Sequence, residues 1–296
     1  MSPPSVSVVI PAWHSEEVIR DCLGALGAQD FRDFETIVVN SSPDDGTREL
    51  LAGAYPDVTL VESGTRLLPH AARILGAGEA RGQLLVFTDP DCRARHDWLT
   101  RLVEAHREGR DAIVGAMDVA EPSRAENGAH LCKFPGLLSG LPAGERWIAP
   151  TANAAYARRL WEEAGPFDGD LFCGDALVSW RAGKLGATPW FTPSARVAHH
   201  HGCDARGLWR ERRPRGEEFG RARALFEGWS RPRLALQAAT LPAAVPLCLL
   251  RAGRLARRAG WGRRFVASLP LQTVGQAAWC VGESRSWAQL ALGGSR

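Results

Sequence analysis

The chain lacks the cysteine patterns that signal a zinc site or a disulfide framework. Its 296 residues include seven cysteines, but no two of them have Cys-x-x-Cys spacing. The start of the chain also lacks an apolar signal segment, since Met1 to Pro4 lead directly into a β-branched run. We therefore expect neither a zinc site nor a disulfide framework, and we expect the body of the protein to be cytosolic.

Positive charge is scarce in the first two thirds of the chain and abundant in the last third. Residues 1–203 contain 19 basic and 27 acidic residues, a net charge of −8, whereas residues 204–296 contain 17 arginines and six acidic residues, a net charge of +11. The overall charge of +3 conceals this difference, and a composition with 45% hydrophobic residues excludes wholesale disorder. A basic tail after an acidic body predicts an anionic partner for the tail, either lipid or nucleic acid.

The first part of the chain alternates between β-branched runs and amphipathic segments. Apolar residues at helical spacing follow Ser15, a plausible helix N-cap, and a small-residue segment at 69–81 predicts a helix that carries Arg73. Short β-branched or apolar runs predict strands at residues 6–10, 35–39, 58–61 and 84–87. This alternation predicts an α/β fold with a parallel sheet and right-handed connections.

Two acidic residues follow the most apolar of these strands. Pro90 separates Asp89 from Asp91 and prevents the strand from continuing. Open α/β sheets bind ligands at the carboxyl ends of their strands, and hard divalent cations take carboxylate ligands. The segment is therefore either a site for a metal and phosphates or a turn with solvated acidic side chains.

Five sequence blocks resemble the family 2 glycosyltransferases of the GT-A fold. They include Phe-Thr-Asp-Pro-Asp-Cys at 87–92 and Gly-Asp-Ala-Leu-Val-Ser-Trp-Arg at 174–181, and the others lie at residues 6–13, 41–47 and 151–168. No single block is specific to this family, but the presence of all five in this order over most of the chain makes coincidence unlikely. The resemblance implies a mixed, mainly parallel Rossmann-like sheet flanked by helices, a nucleotide-sugar donor, a divalent metal (Mn or Mg), and transfer with inversion.

The same resemblance assigns donor-binding roles to particular residues. Asp89 would contact the ribose, and Asp91 would ligate the metal. Arg73 would reach the nucleotide and its phosphates, unless it forms only a surface salt bridge. The late histidine of the family matches His199 as a further metal ligand, although His200 and His201 are alternatives. The nucleobase contacts correspond to Pro11, Ala12, Glu16 and Asn40.

The chain departs from the family pattern at three positions. The family usually has Asp at the place of Asn40 and an aromatic–Asn pair at the place of Trp13 and His14. It also opens the catalytic helix with two acidic residues, of which Gly174 replaces the first. The second, Asp175, is expected to be the general base that deprotonates the acceptor hydroxyl. An Asp here is also a good helix N-cap, and a helix N-terminus favours the ionised carboxylate.

The tail contains two uncharged segments, Leu234 to Leu250 and Phe265 to Gly282, separated by six arginines between Arg251 and Arg264. Both segments fall short of the roughly 20 apolar residues that a spanning helix needs. A span at the first segment would also place those arginines outside, against the positive-inside tendency. We therefore expect two helices that lie in the cytoplasmic face of the cell membrane. A soluble helical pair packed on the body is the alternative.

These observations divide the chain into three parts. Residues 1–203 are predicted to be the GT-A catalytic domain, with a nucleotide-sugar half at about 1–115 and an acceptor half at about 116–203. Residues 204–230 are a basic amphipathic connector, and residues 231–296 are membrane-associated helices.

The expected function is that of a glycosyltransferase of hexosyl or related sugars in polysaccharide biosynthesis, acting on a glycan or lipid-linked acceptor. A non-catalytic nucleotide-binding scaffold is the alternative. Nucleic acid is not an expected partner, because the arginines flank apolar runs instead of alternating with base-stacking aromatic residues.

Overall fold

The computed structural model describes residues 3–42, 46–202 and 204–293, and of Leu241 and Pro242 only the backbone. The strands are β1 Val6–Ala12, β2 Phe34–Asn40, β3 Thr59–Glu62, β4 Leu84–Thr88, β5 Cys92–Ala94, β6 Ala112–Val119, β7 Gly144–Glu145, β8 Asn153–Ala157 and β9 Trp190–His199. The helices are α1 Glu16–Gly27, α2 Thr47–Ala54, α3 Pro69–Glu79, α4 Trp98–Arg107, α5 Arg124–Lys133, α6 Arg158–Ala164, α7 Gly174–Lys184, α8 Ala205–Phe226, α9 Arg231–Ala239, α10 Leu241–Arg258, α11 Gly262–Ala267 and α12 Leu269–Ala291.

The chain divides into two compact units. Unit 1 comprises Met1–Ala120 and Pro142–His199, and unit 2 comprises Glu121–Leu141 and His200–Arg296. Residues 121–141, which the sequence placed in the acceptor half, thus cluster with the C-terminal helices. The three-part division predicted from the sequence stays a prediction.

All the strands of unit 1 form one mixed sheet. Its order is β3-β2-β1-β4-β8-β6-β9-β5, with β7 paired to β9. The strands from β1 to β4 are mutually parallel, as their alternation with helices predicts. β8 joins this half to β6 through antiparallel ladders on both sides. The predicted mixed α/β sheet flanked by helices is confirmed.

The sheet brings polar groups to the carboxyl ends of its strands. Ala12 and Asn40 are register partners where β1 and β2 end. Helix α3 lies directly on these strands, because a Cβ at Gly76 would be 2.5 Å from a methyl group of Val9. α3 runs antiparallel to the strands of its βαβ unit, so its first turn, with His70, lies at their carboxyl ends.

Unit 2 is built around helices α8 and α12. Their backbones approach closely where small residues face each other, since a Cβ at Gly216 would be 2.4 Å from the Trp279 carbonyl oxygen and one at Gly282 would be 2.1 Å from the Arg213 carbonyl oxygen. The predicted connector is therefore mainly a helix, and its Leu208 is fully buried. The second predicted membrane segment, 265–282, is divided between α11 and α12, and much of its α12 part is buried.

Among the described residues, no single helix has the length and apolar composition of a membrane span. Two consecutive helices satisfy the criteria of length and apolar composition only when they are taken together. They are Arg231–Ala239 and Ala243–Arg258, and the angle between them is 74°.

Candidate active site

A buried ion pair joins Asp89 to Arg73 at the end of β4. The Arg73 side chain, on the second turn of α3, is 3% exposed, and its guanidinium donates to the Asp89 carboxylate. Arg73 is therefore not part of a surface salt bridge, which the sequence left open. Its Nε is buried without a hydrogen-bond partner in the described part of the chain. A buried guanidinium with an unused donor is suited to an anionic ligand.

Four potential metal ligands converge beside this pair. Ligand atoms of Asp89, Asp91, Cys92 and His199 all lie within 4.8 Å of one another. The convergence arises because β5, which follows the Asp-Pro-Asp turn, pairs with the end of β9 and places Cys92 opposite His199. His199 Nε2 lies 3.7 Å from Asp91 Oδ1.

This donor set fits a divalent cation such as Mn²⁺ or Mg²⁺. Two carboxylates and an imidazole are ligands that manganese accepts, and magnesium takes the carboxylates. The Cys92 thiol fits less well, because its burial and the neighbouring Asp91 and Asp89 carboxylates raise its pKa well above the ordinary value. Sulfur is also a poorer ligand than a carboxylate oxygen for a hard cation.

The other two histidines of the triple run have different contacts within unit 2. His201 Nε2 lies 3.0 Å from His130 Nδ1. The Glu126 carboxylate accepts hydrogen bonds from the backbone N–H groups of His201 and Gly202 (2.9 and 2.8 Å). His200 Nδ1 is 3.9 Å from the same carboxylate. Of the three, the structure thus brings His199 to the Asp-Pro-Asp turn.

Asp175 lies in the first turn of α7, and Cys173 occupies the N-cap position. The Asp175 carboxylate accepts the N–H of Ala176 at 2.8 Å and a further backbone hydrogen bond from Thr151. Burial nevertheless raises the pKa of Asp175 from 3.8 to about 6, although Arg73 and the two backbone N–H groups act to lower it. The backbone N–H groups thus act in the direction that the sequence predicts for a helix N-terminus, but desolvation of the carboxylate has the larger effect on its pKa.

His70 is a site residue that the sequence reasoning missed. Its side chain is 3% exposed, and its Nε2 lies 4.0 Å from Asp175 Oδ1 and 3.1 Å from the Phe172 carbonyl oxygen. Its ring packs on Phe167 with centroids 4.6 Å apart. The substitution of an acidic residue by Gly174 was the available signal, because it leaves room for another side chain beside Asp175.

The residues predicted to contact the nucleobase are partly brought together. Ala12 accepts the N–H of Ser41 at 3.1 Å, and Asn40 Oδ1 accepts the N–H of Ser42 at 3.0 Å. Pro11, like Ala12, is buried at the end of β1. The Glu16 carboxylate instead accepts the N–H of Gly46 at 2.7 Å. Pro43, Asp44 and Asp45 of the predicted turn lie outside the described residues.

The unusual pair after β1 has a defined geometry. His14 adopts a left-handed backbone conformation, with φ at 47°, which asparagine would adopt more readily. Its N–H donates to Ser42 Oγ at 2.7 Å, which holds the loop in place. The guanidinium of Arg66 lies 4.7 Å from the centre of the Trp13 ring.

Comparison with known proteins places this geometry in a family. The model described as Glycosyl transferase family 2 matches residues 7–164, more than half of the chain. Glycosyltransferase AglE from Haloferax volcanii is 28% identical over 177 residues, which make up 58% of this chain and 58% of AglE. The chain therefore spans less than two thirds of the length of this relative.

Two solved structures share the fold. Mannosyltransferase PcManGT from Pyrobaculum calidifontis, in complex with GDP-Man and Mn²⁺, has a TM-score of 0.57 at 22% identity and covers 92% of this chain and 88% of its own. S. aureus TarS 1–349 in complex with UDP-GlcNAc has a TM-score of 0.52 at 17% identity, with 93% and 90% covered. These likenesses confirm the predicted GT-A fold. The match over residues 7–164 shows that the chain belongs to glycosyl transferase family 2.

Proposed function

We propose that this chain is an inverting, metal-assisted glycosyltransferase that moves a sugar from a nucleotide-sugar donor to a hydroxyl acceptor, with Asp175 as the general base. The observation that carries the proposal is the position of Arg73. It pairs with Asp89 of the metal cluster, and its positive charge also acts to lower the pKa of Asp175. Within unit 1, the buried Arg73 guanidinium thus acts on both the Asp89 carboxylate of the donor side and the Asp175 carboxylate of the acceptor side.

The donor half would use the ends of β1, β2 and β4. Pro11, Ala12 and Asn40 would contact the nucleobase, and Glu16 stays a predicted contact of the same kind. Asp89 would bind the ribose, and Arg73 would add its unused Nε donor to the phosphates. The GDP-Man and UDP-GlcNAc complexes of PcManGT and TarS support a nucleotide-sugar donor.

Asp91 and His199 would hold the metal, with Asp89 beside them. A bound divalent cation supplies Lewis-acid stabilisation of the charge that develops on the departing diphosphate. Arg73 contributes a fixed positive charge to the same end of the site. The Mn²⁺ in the PcManGT complex supports this choice of ion.

Asp175 would accept the proton of the acceptor hydroxyl as its oxygen attacks the anomeric carbon from the face opposite the diphosphate. Attack from that face inverts the anomeric configuration. With a pKa of about 6, Asp175 is mainly ionised at neutral pH yet basic enough to accept a proton in the transition state. A carboxylate with the ordinary pKa of 3.8 would be a weaker base.

A donor screen tests this function. Nucleoside diphosphate release and protection from thermal unfolding are measured across the common nucleotide sugars, with Mn²⁺, Mg²⁺ or a chelator. We expect one donor to protect the protein only with metal and to release its nucleoside diphosphate on addition of an acceptor. Protection without any release across a broad acceptor panel would instead favour the nucleotide-binding scaffold.

We further propose that unit 2 attaches the protein to the cytoplasmic face of the cell membrane and that the acceptor is lipid-linked or a surface glycan. The support is an exposed apolar surface on α9, α10 and α11, where Leu236, Leu247 and Val266 are each more than 60% exposed. All six arginines between Arg251 and Arg264 are exposed as well. Anionic headgroups attract each such arginine by about 1 kcal/mol.

One face of α10 combines both features. Leu247, Arg251, Arg254 and Arg258 follow one another at spacings of three or four residues, so they share one side of the helix. The opposite side is packed, since Ala252 and Ala256 are buried. This arrangement suits a helix lying at a membrane surface, with leucines in the acyl region and arginines at the headgroups.

A further inference from the structure

Gly174 and His70 occupy one shared volume beside the proposed base. A Cβ at Gly174 would lie 3.0 Å from Cγ and Cδ2 of the His70 ring and 3.0 Å from the Asp168 carbonyl oxygen. Such contacts are tighter than van der Waals packing tolerates. A side chain at position 174 would therefore require the His70 ring and the Asp168 carbonyl group to shift by a few tenths of an ångström.

His70 also links α3 to the segment that leads into α7. A carbonyl oxygen can only accept, so the 3.1 Å contact with Phe172 requires that Nε2 carries the hydrogen. Phe172 precedes Cys173, the N-cap of α7, and Asp175 is the second helical residue. The bond thus fixes the backbone immediately before the base, and the packing of the ring on Phe167 limits its rotation.

Four charged or titratable side chains face Asp175 from the elements around it, and of these Arg73 and Asp89 shift its pKa. Arg73 and His70 come from α3, Asp89 from the end of β4 and Tyr156 from β8. Arg73 is already engaged by Asp89. His70, whose Nε2 lies 4.0 Å from Asp175 Oδ1, is the second α3 side chain beside this carboxylate.

We propose that His70 is a positioning residue for Asp175: it holds the backbone at the start of α7 through its hydrogen bond to the Phe172 carbonyl oxygen and packs its ring beside Gly174, with Nε2 4.0 Å from the carboxylate. This inference rests on the proposed role of Asp175 as the base. The histidine fills the volume beside Gly174 and keeps the Asp175 carboxylate in place without an acidic residue at position 174.

Two variants of His70 separate the hydrogen bond from the volume. His70→Gln keeps a donor near the Nε2 position, whereas His70→Leu keeps the volume and removes the donor. We expect His70→Leu to lower kcat by roughly ten- to a hundredfold with an unchanged donor KM, the size of effect that follows a misplaced catalytic group. His70→Gln should recover most of that loss. The acidic limb of the pH–rate profile should move to higher pH in His70→Leu, because an apolar side chain would replace a polar ring 4.0 Å from the carboxylate and disfavour its ionised form.

His106 provides a matched control. Its Nδ1 lies 3.1 Å from the Arg110 carbonyl oxygen and 3.9 Å from Asp111 Oδ1, nearly the same pair of contacts on α4. His106→Leu should change neither kcat nor the pH profile. A purely structural effect of losing a buried histidine would lower the melting temperature without moving the pH profile.

A reciprocal exchange of side-chain size tests whether positions 70 and 174 share one volume. It also tests the positioning role of His70 if His70→Leu does not fold. His70→Ser and Gly174→Glu should each lower kcat. The kcat of the double variant should be about tenfold higher than that of the worse single variant, because the effects of substitutions at residues in contact are not additive. Additive losses, or wild-type kcat and pH profile in both His70→Leu and His70→Gln, would overturn the inference. Asp175→Asn in parallel keeps the two proposals apart, since a failure of Asp175 as the base would appear as full activity in that variant alone.

Discussion

At the scale of single residues, the environment of Asp175, the proposed base, determines the pH range in which its carboxylate is ionised. Desolvation of its mostly buried carboxylate disfavours the charged form more than Arg73 and two backbone N–H groups favour it. The resulting pKa of about 6 means that acidification through this value protonates the base.

We therefore predict that kcat falls tenfold per pH unit below a midpoint near pH 6 and is flat above it. The profile is measured with saturating donor and acceptor between about pH 4.5 and 8. A midpoint near pH 4, the range of an ordinary carboxyl, would contradict the role of burial.

The same raised pKa has a consequence for stability. A native carboxyl that binds its proton more tightly than the unfolded one destabilises the fold as pH rises from 3.8 through about 6. Asp175→Asn should therefore stabilise unit 1 near pH 8 by roughly 2–3 kcal/mol, and this gain should shrink as pH falls towards 4. Urea unfolding at several pH values measures it. The exposed Asp57 offers a control, since Asp57→Asn should have little effect at any pH.

Metal dependence is a prediction about Asp91. Asp91→Asn removes one charged ligand from a cluster of two carboxylates and an imidazole. We expect calorimetry to show that nucleoside diphosphate affinity loses most of its dependence on Mn²⁺ while the melting temperature stays unchanged, because the side chain is one third exposed. Equal affinities of the wild type with and without chelator would contradict the metal role.

The sequence assigns roles to Asp89, Asp91 and Asp175 because each lies in one of the five blocks, whereas Arg73 and His199 are matched to the family outside those blocks. These roles stay predictions, although the structure does bring the five side chains to one end of the sheet in unit 1. The sequence could not predict His70, since that histidine meets Gly174 across about a hundred residues of chain. Nor could it give the direction of the Asp175 pKa shift. That shift depends on how many atoms surround the carboxylate, and packing density is not encoded in local sequence.

At the scale of helices and strands, the first part of unit 1 follows from local pattern. Alternating strands and helices permit few topologies, so the parallel ladder from β1 to β4 was predictable. The insertion of β8 between β4 and β6 was not, because an antiparallel partner more than sixty residues away has no local signal. The pairing of β5 with β9, which positions His199, is of the same kind.

The packing of α8 against α12 gives a prediction for unit 2. Gly282→Ala should cost about 1–3 kcal/mol, because the added methyl group would meet the backbone of α8. Gly24→Ala, on the exposed face of α1 with no atom within 4 Å, should instead stabilise by roughly 0.5–1 kcal/mol. Urea unfolding of the two variants measures both changes in the free energy of unfolding. A tolerated Gly282→Ala would mean that the two helices are farther apart than described.

At the scale of the whole molecule, the separation of charge suggests how the protein meets its acceptor. Residues 204–296 carry a net charge of +11, and the exposed leucines of α10 share a face with arginines. Leu247→Asp with Leu250→Asp should reduce flotation with anionic vesicles at least tenfold, because both side chains are half or more exposed and would leave the acyl region.

Two comparisons sharpen the vesicle experiment. Leu185→Asp, at a 45% exposed leucine in unit 1, is the control and should leave flotation unchanged. Raising the salt concentration should weaken binding of the wild type, because the arginines contribute through screened attraction. Wild-type protein that stays in the soluble fraction with anionic vesicles at low salt would contradict membrane attachment.

The central claim is that Asp175 performs the chemistry on a donor held by the rest of the site, and a single-turnover assay tests it most directly. Nucleoside diphosphate release is followed in the presence of acceptor, metal and the donor identified by the screen, with donor affinity measured in parallel. We predict that Asp175→Asn slows transfer by about two to four orders of magnitude while donor affinity stays within about twofold of the wild type. Near wild-type transfer by Asp175→Asn would contradict the account and leave the base unidentified.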